Sequence, residues 1–160
     1  MNLPYSAFFL LLLFPPILLA VPYAVGDSLE IVSLNDQHEK PGYIDKTTRV
    51  ILFSRDKKGG EILTDVLSNM PEGFLAEQNI VYITDISAMP GLISKYIAIP
   101  ALQKKAYSIL LDEDGSRTIN YPDKNAMATL IYVESLSITH IIYADSIDAV
   151  IKNLLPIQSQ

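Results

Sequence analysis

Cysteine is absent from this sequence of 160 residues. Without cysteine a chain cannot form a disulfide, use a thiol in catalysis, bind a metal through thiolates or take a lipid on an N-terminal cysteine. Basic residues are also in deficit, because the net charge is −6 at neutral pH. That charge argues against a nucleic-acid-binding protein, which normally has a basic face, and it does not favour an anionic membrane surface.

Charged side chains are missing from the N-terminus, where the first one is Asp27. The preceding run AFFLLLLFPPILLAVPYA is apolar, is interrupted by two adjacent prolines and ends in small residues. A membrane span needs roughly 20 uninterrupted apolar residues, whereas small residues suit signal-peptide cleavage. We predict a signal peptide at residues 1–24 and one mature domain at 25–160. The protein is then periplasmic or secreted, with no membrane contact after cleavage; the alternative is a retained N-terminal anchor.

The mature region alternates between strand and helix patterns. Continuous β-branched and aromatic runs are typical of strands covered on both faces. Such runs predict strands at Arg49–Ser54, Ile80–Thr84, Ala128–Val133 and Ile138–Tyr143, of which the last two form a hairpin. Apolar residues at helical spacing predict helices that begin near Gly60, Pro90 and Ser146. This order predicts a single α/β domain with a mixed sheet.

Several segments, taken in order, resemble the thioredoxin fold and within it the peroxiredoxin and TlpA-like branch. VGDSLEIVSLNDQHEKPGYID resembles the N-terminal motif of the branch, and RVILFS resembles the strand that leads to the active-site loop. YSILLDEDG is similar to the LLD-x-x-G stretch, and NYPDKNAMATLIYVESLSITHIIYA is similar to the last hairpin. The resemblance covers the mature region and implies a three-layer α/β sandwich, in which helices flank a mixed central sheet.

The departures from that branch bear on function. By position, the reactive thiols would fall within Lys57 to Glu61, where this chain reads Lys-Lys-Gly-Gly-Glu. The cis-proline that packs against the thiols is replaced at about Ala126 or Met127. Thiol-disulfide and peroxidase activity therefore do not carry over, and the chain resembles cysteine-free periplasmic proteins of the YtfJ type. The resemblance implies a binding or accessory module without a cofactor. A non-thiol enzyme in the old active-site cleft and a structural protein without a ligand are the alternatives.

One predicted loop has the chemistry to bind an anion or an acidic partner. Free amides and the positive end of a helix dipole attract anions, and neighbouring lysines add to that attraction. The residues concerned are Arg55, Asp56, Lys57, Lys58, Gly59, Gly60 and Glu61. We predict at most weak, salt-sensitive binding of a small anionic ligand there, or contact with an unidentified protein. The alternative is a solvated loop.

Other motifs favour no specific chemistry. The acidic DEDG stretch, residues 112–115, lacks the later oxygen donors of a calcium loop and predicts a surface turn. No Gly-x-Gly-x-x-Gly or Walker motif is present, so no nucleotide or flavin cofactor is predicted. Three tyrosines around the last hairpin could form an aromatic binding face, although tyrosines more often pack their rings in the core: Tyr121, Tyr132 and Tyr143.

Overall fold

The computed structural model describes residues 20–154. Most of the predicted signal peptide lies outside these residues, so that assignment and the cleavage site stay predictions. Within the described range, no helix is both long and apolar enough to cross a membrane.

Two sheets are present among the described residues. Seven strands occur: β1 (Val32–Asn35), β2 (Pro41–Ile44), β3 (Val50–Ser54), β4 (Ile80–Asp85), β5 (Leu110–Asp112), β6 (Ala128–Glu134) and β7 (Ser137–Ala144). The central sheet has the order β5-β4-β3-β6-β7, in which β3, β4 and β5 are parallel, β6 is antiparallel to β3, and β7 is antiparallel to β6. The separate β1–β2 hairpin is antiparallel.

The predicted core strands are confirmed to within two residues at each end, and the last hairpin joins the same sheet as the first two strands. Every residue of β3 is buried. Alternate side chains of this strand enter different core clusters, with Leu52 on one face of the sheet and Phe53 on the other. A strand of this kind is stable only when both faces are covered, which explains its continuous apolar sequence.

The helices are α1 (Lys57–Leu67), α2 (Phe74–Glu77), α3 (Gly91–Ile93), α4 (Ile99–Leu102) and α5 (Ile147–Leu154), with a π-helical turn at Ser94–Ala98. Apolar residues of α1 and α5, such as Leu63 and Val150, pack on one face of the sheet. The core on the opposite face is formed by strands and extended segments, which include Leu29, Ile44 and Tyr121. The mixed sheet with helices agrees with the predicted fold class, while the second covering layer is largely extended chain.

Residues 91–102 form one continuous helical segment, made of α3, the π-helical turn and α4. Its start after Pro90 agrees with the predicted helix start, and no side chain forms a capping hydrogen bond there. Pro100 lies inside the segment, where it has no N–H to donate and its ring would crowd the carbonyl four residues earlier. A π-helical turn before the proline accommodates both effects.

Candidate functional site

The N-terminus of α1 is closed by a side chain of the protein itself. Asp56 has an extended backbone, and its Oδ1 accepts a hydrogen bond from the Gly59 N–H at 2.8 Å. Its Oδ2 accepts the Ala126 N–H at 2.7 Å. An aspartate in this position caps the helix and complements the positive end of its dipole. A carboxylate therefore occupies the place where an anion would meet these amides, and it ties α1 to the loop before β6.

The helix begins earlier than predicted, which corrects the expected start near Gly60 and the expected loop. Because the Asp56 carboxylate caps the chain, Lys57 is already helical. Gly59 is buried, and a Cβ added there would lie 2.3 Å from the backbone oxygen of Met127. Gly60 has room, since the nearest atom to an added Cβ is Ser54 Oγ at 3.6 Å. Only the first glycine is therefore required by packing.

The predicted anion-loop residues do not converge on one point. The side chains of Lys57 and Glu61 are exposed and face each other across one turn of α1, with Nζ and Oε1 3.7 Å apart. Lys58 is also exposed. Arg55 turns away from them toward the ends of β4 and β5, where it joins a buried acidic cluster. The loop is thus divided into a helix terminus with exposed lysines and a partly buried arginine.

Arg55 holds the carboxyl ends of the parallel strands together. Its NH1 donates to Asp85 Oδ2 at 3.0 Å, and its NH2 donates to the carbonyl of Thr118 at 2.8 Å. The Nε atom lies 3.0 Å from Asp123 Oδ1, which is an ion-pair distance, but the N–H does not point at the oxygen, so no hydrogen bond forms. The Asp85 side chain is 2% exposed. A carboxylate so buried needs this cation, and the cluster is a structural clamp.

The acidic turn after β5 uses its first carboxylate internally. Asp112 Oδ1 accepts the Gly115 N–H at 3.0 Å, and its Oδ2 accepts the Thr118 N–H at 2.8 Å. The Thr118 hydroxyl lies 2.8 Å from the same Oδ2. Residues 20–154 contain no group of three or more acidic or histidine side chains placed to hold a metal ion. The predicted surface turn is therefore the better description of the DEDG stretch.

The three tyrosines near the last hairpin do not share one face. Tyr121 is buried and packs edge-to-face against Phe53, with ring centroids 5.3 Å apart. Tyr132 lies on the opposite side of the sheet and donates its hydroxyl to the Asn153 carbonyl at 2.7 Å. Tyr143 is covered by Lys124, whose Nζ is 4.3 Å from the ring centroid. Each ring has a packing role, so no aromatic binding face forms.

A cavity of about 720 Å³ lies beside the first half of β4. The strand β5 pairs only with Ile83, Thr84 and Asp85, so it leaves the start of β4 without a neighbour on that side. The walls come from residues 70–76 and 104–108, from Ile80, Val81 and Tyr82, and from the β2 residues Gly42 and Tyr43. Small-molecule sites are commonly apolar, preformed cavities of this size.

The cavity combines an apolar lining with a few polar groups. Phe74 and Leu75 are among its apolar residues, whereas Lys104, Lys105 and Glu72 supply charge. The Tyr107 hydroxyl is buried without a hydrogen-bond partner and lies near the hydroxyls of Thr64 and Ser68, and burial raises its pKa. Burial likewise raises the pKa of the Tyr82 hydroxyl to about 12. Both phenols are therefore neutral hydrogen-bonding groups at physiological pH.

Sequence reasoning missed this cavity because its walls come from segments that are distant in the chain. The one local signal was the stretch Lys104-Lys105-Ala106-Tyr107, which places two cations beside an aromatic residue and directly before a short strand. No residue of the predicted anion loop lines the cavity.

The strand order and the helix that follows the first core strand define the class: the chain has a thioredoxin-like fold and contains no cysteine. It is similar to peroxidoxin BcpB from Mycobacterium tuberculosis, with 14% identity and a TM-score of 0.56 over 84% of this chain and 96% of that chain. It is also similar to a candidate protein disulfide isomerase from Bacteroides thetaiotaomicron, with 11% identity and a TM-score of 0.58 over 88% and 92% of the two chains.

A third similar structure is a candidate thiol:disulfide interchange protein DsbE from Chlorobium tepidum, with 11% identity and a TM-score of 0.57 over 84% of this chain and 97% of that chain. At these identities the likeness establishes the fold alone. No protein-family model matches the sequence, and no curated protein matches it significantly. The resemblance to the peroxiredoxin and TlpA-like branch is confirmed at the level of fold, and the YtfJ type stays a prediction.

Proposed function

We propose that this protein is a periplasmic or secreted binding module that holds a small amphiphilic anion in the cavity beside β4. The observation that carries the proposal is the cavity itself, which is preformed, about 720 Å³ in volume and lined mainly by apolar side chains. The export part of the proposal rests on the uncharged apolar run that precedes Asp27.

The chemistry of the cavity favours an apolar chain that ends in an anion. Apolar walls gain free energy roughly in proportion to the ligand surface that they remove from water. Lys104 and Lys105 can pair with an anionic head group, and their two positive charges exceed the single negative charge of Glu72. Tyr107 also lines the cavity, and its neutral hydroxyl is buried near Thr64 and Ser68.

Calorimetric titration with dodecanoate tests this proposal. We expect dodecanoate to bind, and we expect acetate and the cationic dodecyltrimethylammonium to bind at least about tenfold more weakly, because the first lacks the chain and the second repels the lysines. The double variant Lys104→Ala/Lys105→Ala should lose at least about fivefold in affinity for dodecanoate. The substitution Ala106→Trp, at an exposed position of the cavity wall, should block entry.

A second pair of adjacent lysines provides the matched control. The variant Lys57→Ala/Lys58→Ala makes the same change in net charge at the N-terminus of α1, outside the cavity. It should bind dodecanoate as the unmodified protein does. If this variant loses binding while Lys104→Ala/Lys105→Ala retains it, the cavity proposal is wrong and the anion binds at the predicted loop, residues 55–61. Unchanged binding in every variant would also refute it.

A further inference from the structure

The first part of the helical segment, residues 91–98, presents its large apolar side chains to solvent. Leu92 is 75% exposed, Tyr96 is 66% exposed and Ile97 is 65% exposed. Within residues 91–98 the half-buried positions carry only the small residues Ser94 and Ala98, whereas Ile99 and Leu102, which pack against the core, lie further along the segment. This arrangement is the reverse of an ordinary surface helix, whose apolar face is directed inward.

The exposed face is continuous along the helix. Met89 and Ile93 complete it at spacings of three and four residues from the others. From their exposed fractions these side chains present on the order of 500 Å² of apolar surface, more than scattered surface residues account for. We call this set the apolar helix face: Met89, Leu92, Ile93, Tyr96 and Ile97.

The stretch of sequence that contains this face differs in charge from the rest of the chain. Residues 86–111 contain three lysines and no aspartate or glutamate, although the whole chain has a net charge of −6. Lys95 lies on the same helix, with its Nζ 5.6 Å from the Tyr96 ring centroid. A protruding apolar face with tyrosine and lysine beside it is the composition of a helix that lies in the surface of an anionic membrane.

Area and shape favour a membrane over another protein. A stable dimer buries about 800 Å² on each partner, which is more than this face offers. The three side chains that are at least 65% exposed protrude from the surface, and a lipid interface accepts a protruding face without a complementary groove. We propose that the apolar helix face docks the domain onto a membrane that contains anionic lipid. This departs from the sequence-based expectation of no membrane contact after signal cleavage.

Hydrogen–deuterium exchange of the protein with lipid vesicles tests this proposal. Every variant is produced and purified in the same way, so that all carry the same N-terminus. Exchange is compared in residues 88–102, which makes the readout local to this helix. We expect slower exchange there with vesicles that contain about 30% phosphatidylglycerol in phosphatidylcholine, and a much smaller effect with phosphatidylcholine alone or at high salt. No protection with the anionic vesicles would overturn the proposal.

Two variants test whether vesicle binding is specific to the apolar helix face or results from nonspecific hydrophobic adsorption. The variant Leu92→Glu/Ile97→Glu should need at least about tenfold more anionic lipid to reach the same protection. Ile31→Glu, which alters a side chain that is 64% exposed elsewhere, should leave it unchanged. Equal protection in Leu92→Glu/Ile97→Glu would refute the proposal. So would protection that appears without lipid as the protein concentration rises, because a second copy would then cover the face. Unchanged melting temperatures establish that the variants are folded.

Discussion

Replacement by alanine should have opposite effects on stability at the two adjacent glycines of α1. A Cβ at position 59 would lie 2.3 Å from Met127 O and 2.9 Å from Met127 C, and both are backbone atoms that cannot swing aside. A Cβ at position 60 would meet only side-chain oxygens, at 3.6 and 3.8 Å, which is ordinary van der Waals contact. We therefore expect Gly59→Ala to destabilise the domain and Gly60→Ala to stabilise it.

The magnitudes follow from two opposing effects. Alanine gains up to about 1 kcal/mol over glycine in a helix. At position 59 this gain is outweighed by overpacking, which typically costs about 1–3 kcal/mol and here also pushes on the loop that Asp56 ties to α1. The net expectation is a loss of about 1–2 kcal/mol for Gly59→Ala and a gain of up to about 1 kcal/mol for Gly60→Ala. The free energy of unfolding in urea, followed by circular dichroism, measures both. If Gly59→Ala were as stable as Gly60→Ala, the close packing of α1 against the loop before β6 would be wrong.

Three further predictions concern buried polar groups. Arg55→Met removes the cation from the Asp85 carboxylate and should cost about 3 kcal/mol in urea unfolding, whereas the exposed Arg117→Met should change stability little; equal effects would contradict the clamp. Asp56→Ala removes the α1 cap and should cost about 1–2 kcal/mol, and an unchanged denaturation midpoint would argue against that cap. Burial raises the pKa of Tyr82 to about 12, so the stability that its neutral hydroxyl provides is complete below about pH 10 and is lost as pH rises through about 12. Between about pH 10 and 12, the melting temperature should therefore fall less steeply with pH in Tyr82→Phe than in the unmodified protein. If the two proteins lost melting temperature equally over this range, the prediction for Tyr82 would be wrong.

The strands were predictable because their sequences are decided by burial alone. The runs around Leu52 and Ile83 lie in the middle of the sheet, so both of their faces select apolar and β-branched residues. The β1–β2 hairpin was less visible, because its turn is fixed by one side chain: Asp36 Oδ1 accepts the N–H groups of His38 and Lys40 at 2.8 and 3.0 Å. The turn-forming residues of this stretch predict a bend but not the returning strand.

The start of α1 and the cavity needed tertiary information. The sequence pattern placed the helix after the two glycines, since glycine lowers helix propensity. The Asp56 carboxylate overrides that preference by capping the helix at Gly59 and by bonding to Ala126, which is 70 residues away. The cavity is likewise a product of chain packing, because the short β5 leaves the start of β4 uncovered. The helix 91–102 was predicted from its apolar spacing, and only the structure revealed that the apolar side faces outward.

The carboxylate of Asp56 affects whether this protein could acquire thiol chemistry. Thiolates in proteins become reactive when helix N-terminal amides or cations lower their pKa. In this protein one of those amides, the Gly59 N–H, is already bonded to a negative group. A cysteine introduced at Lys58 would replace a cation two residues from that carboxylate, and both the loss of a positive charge and a nearby negative charge raise a thiol pKa. We therefore expect a cysteine at this position alone to be less reactive than one at an uncapped helix N-terminus, and removal of the aspartate would cost the helix its cap.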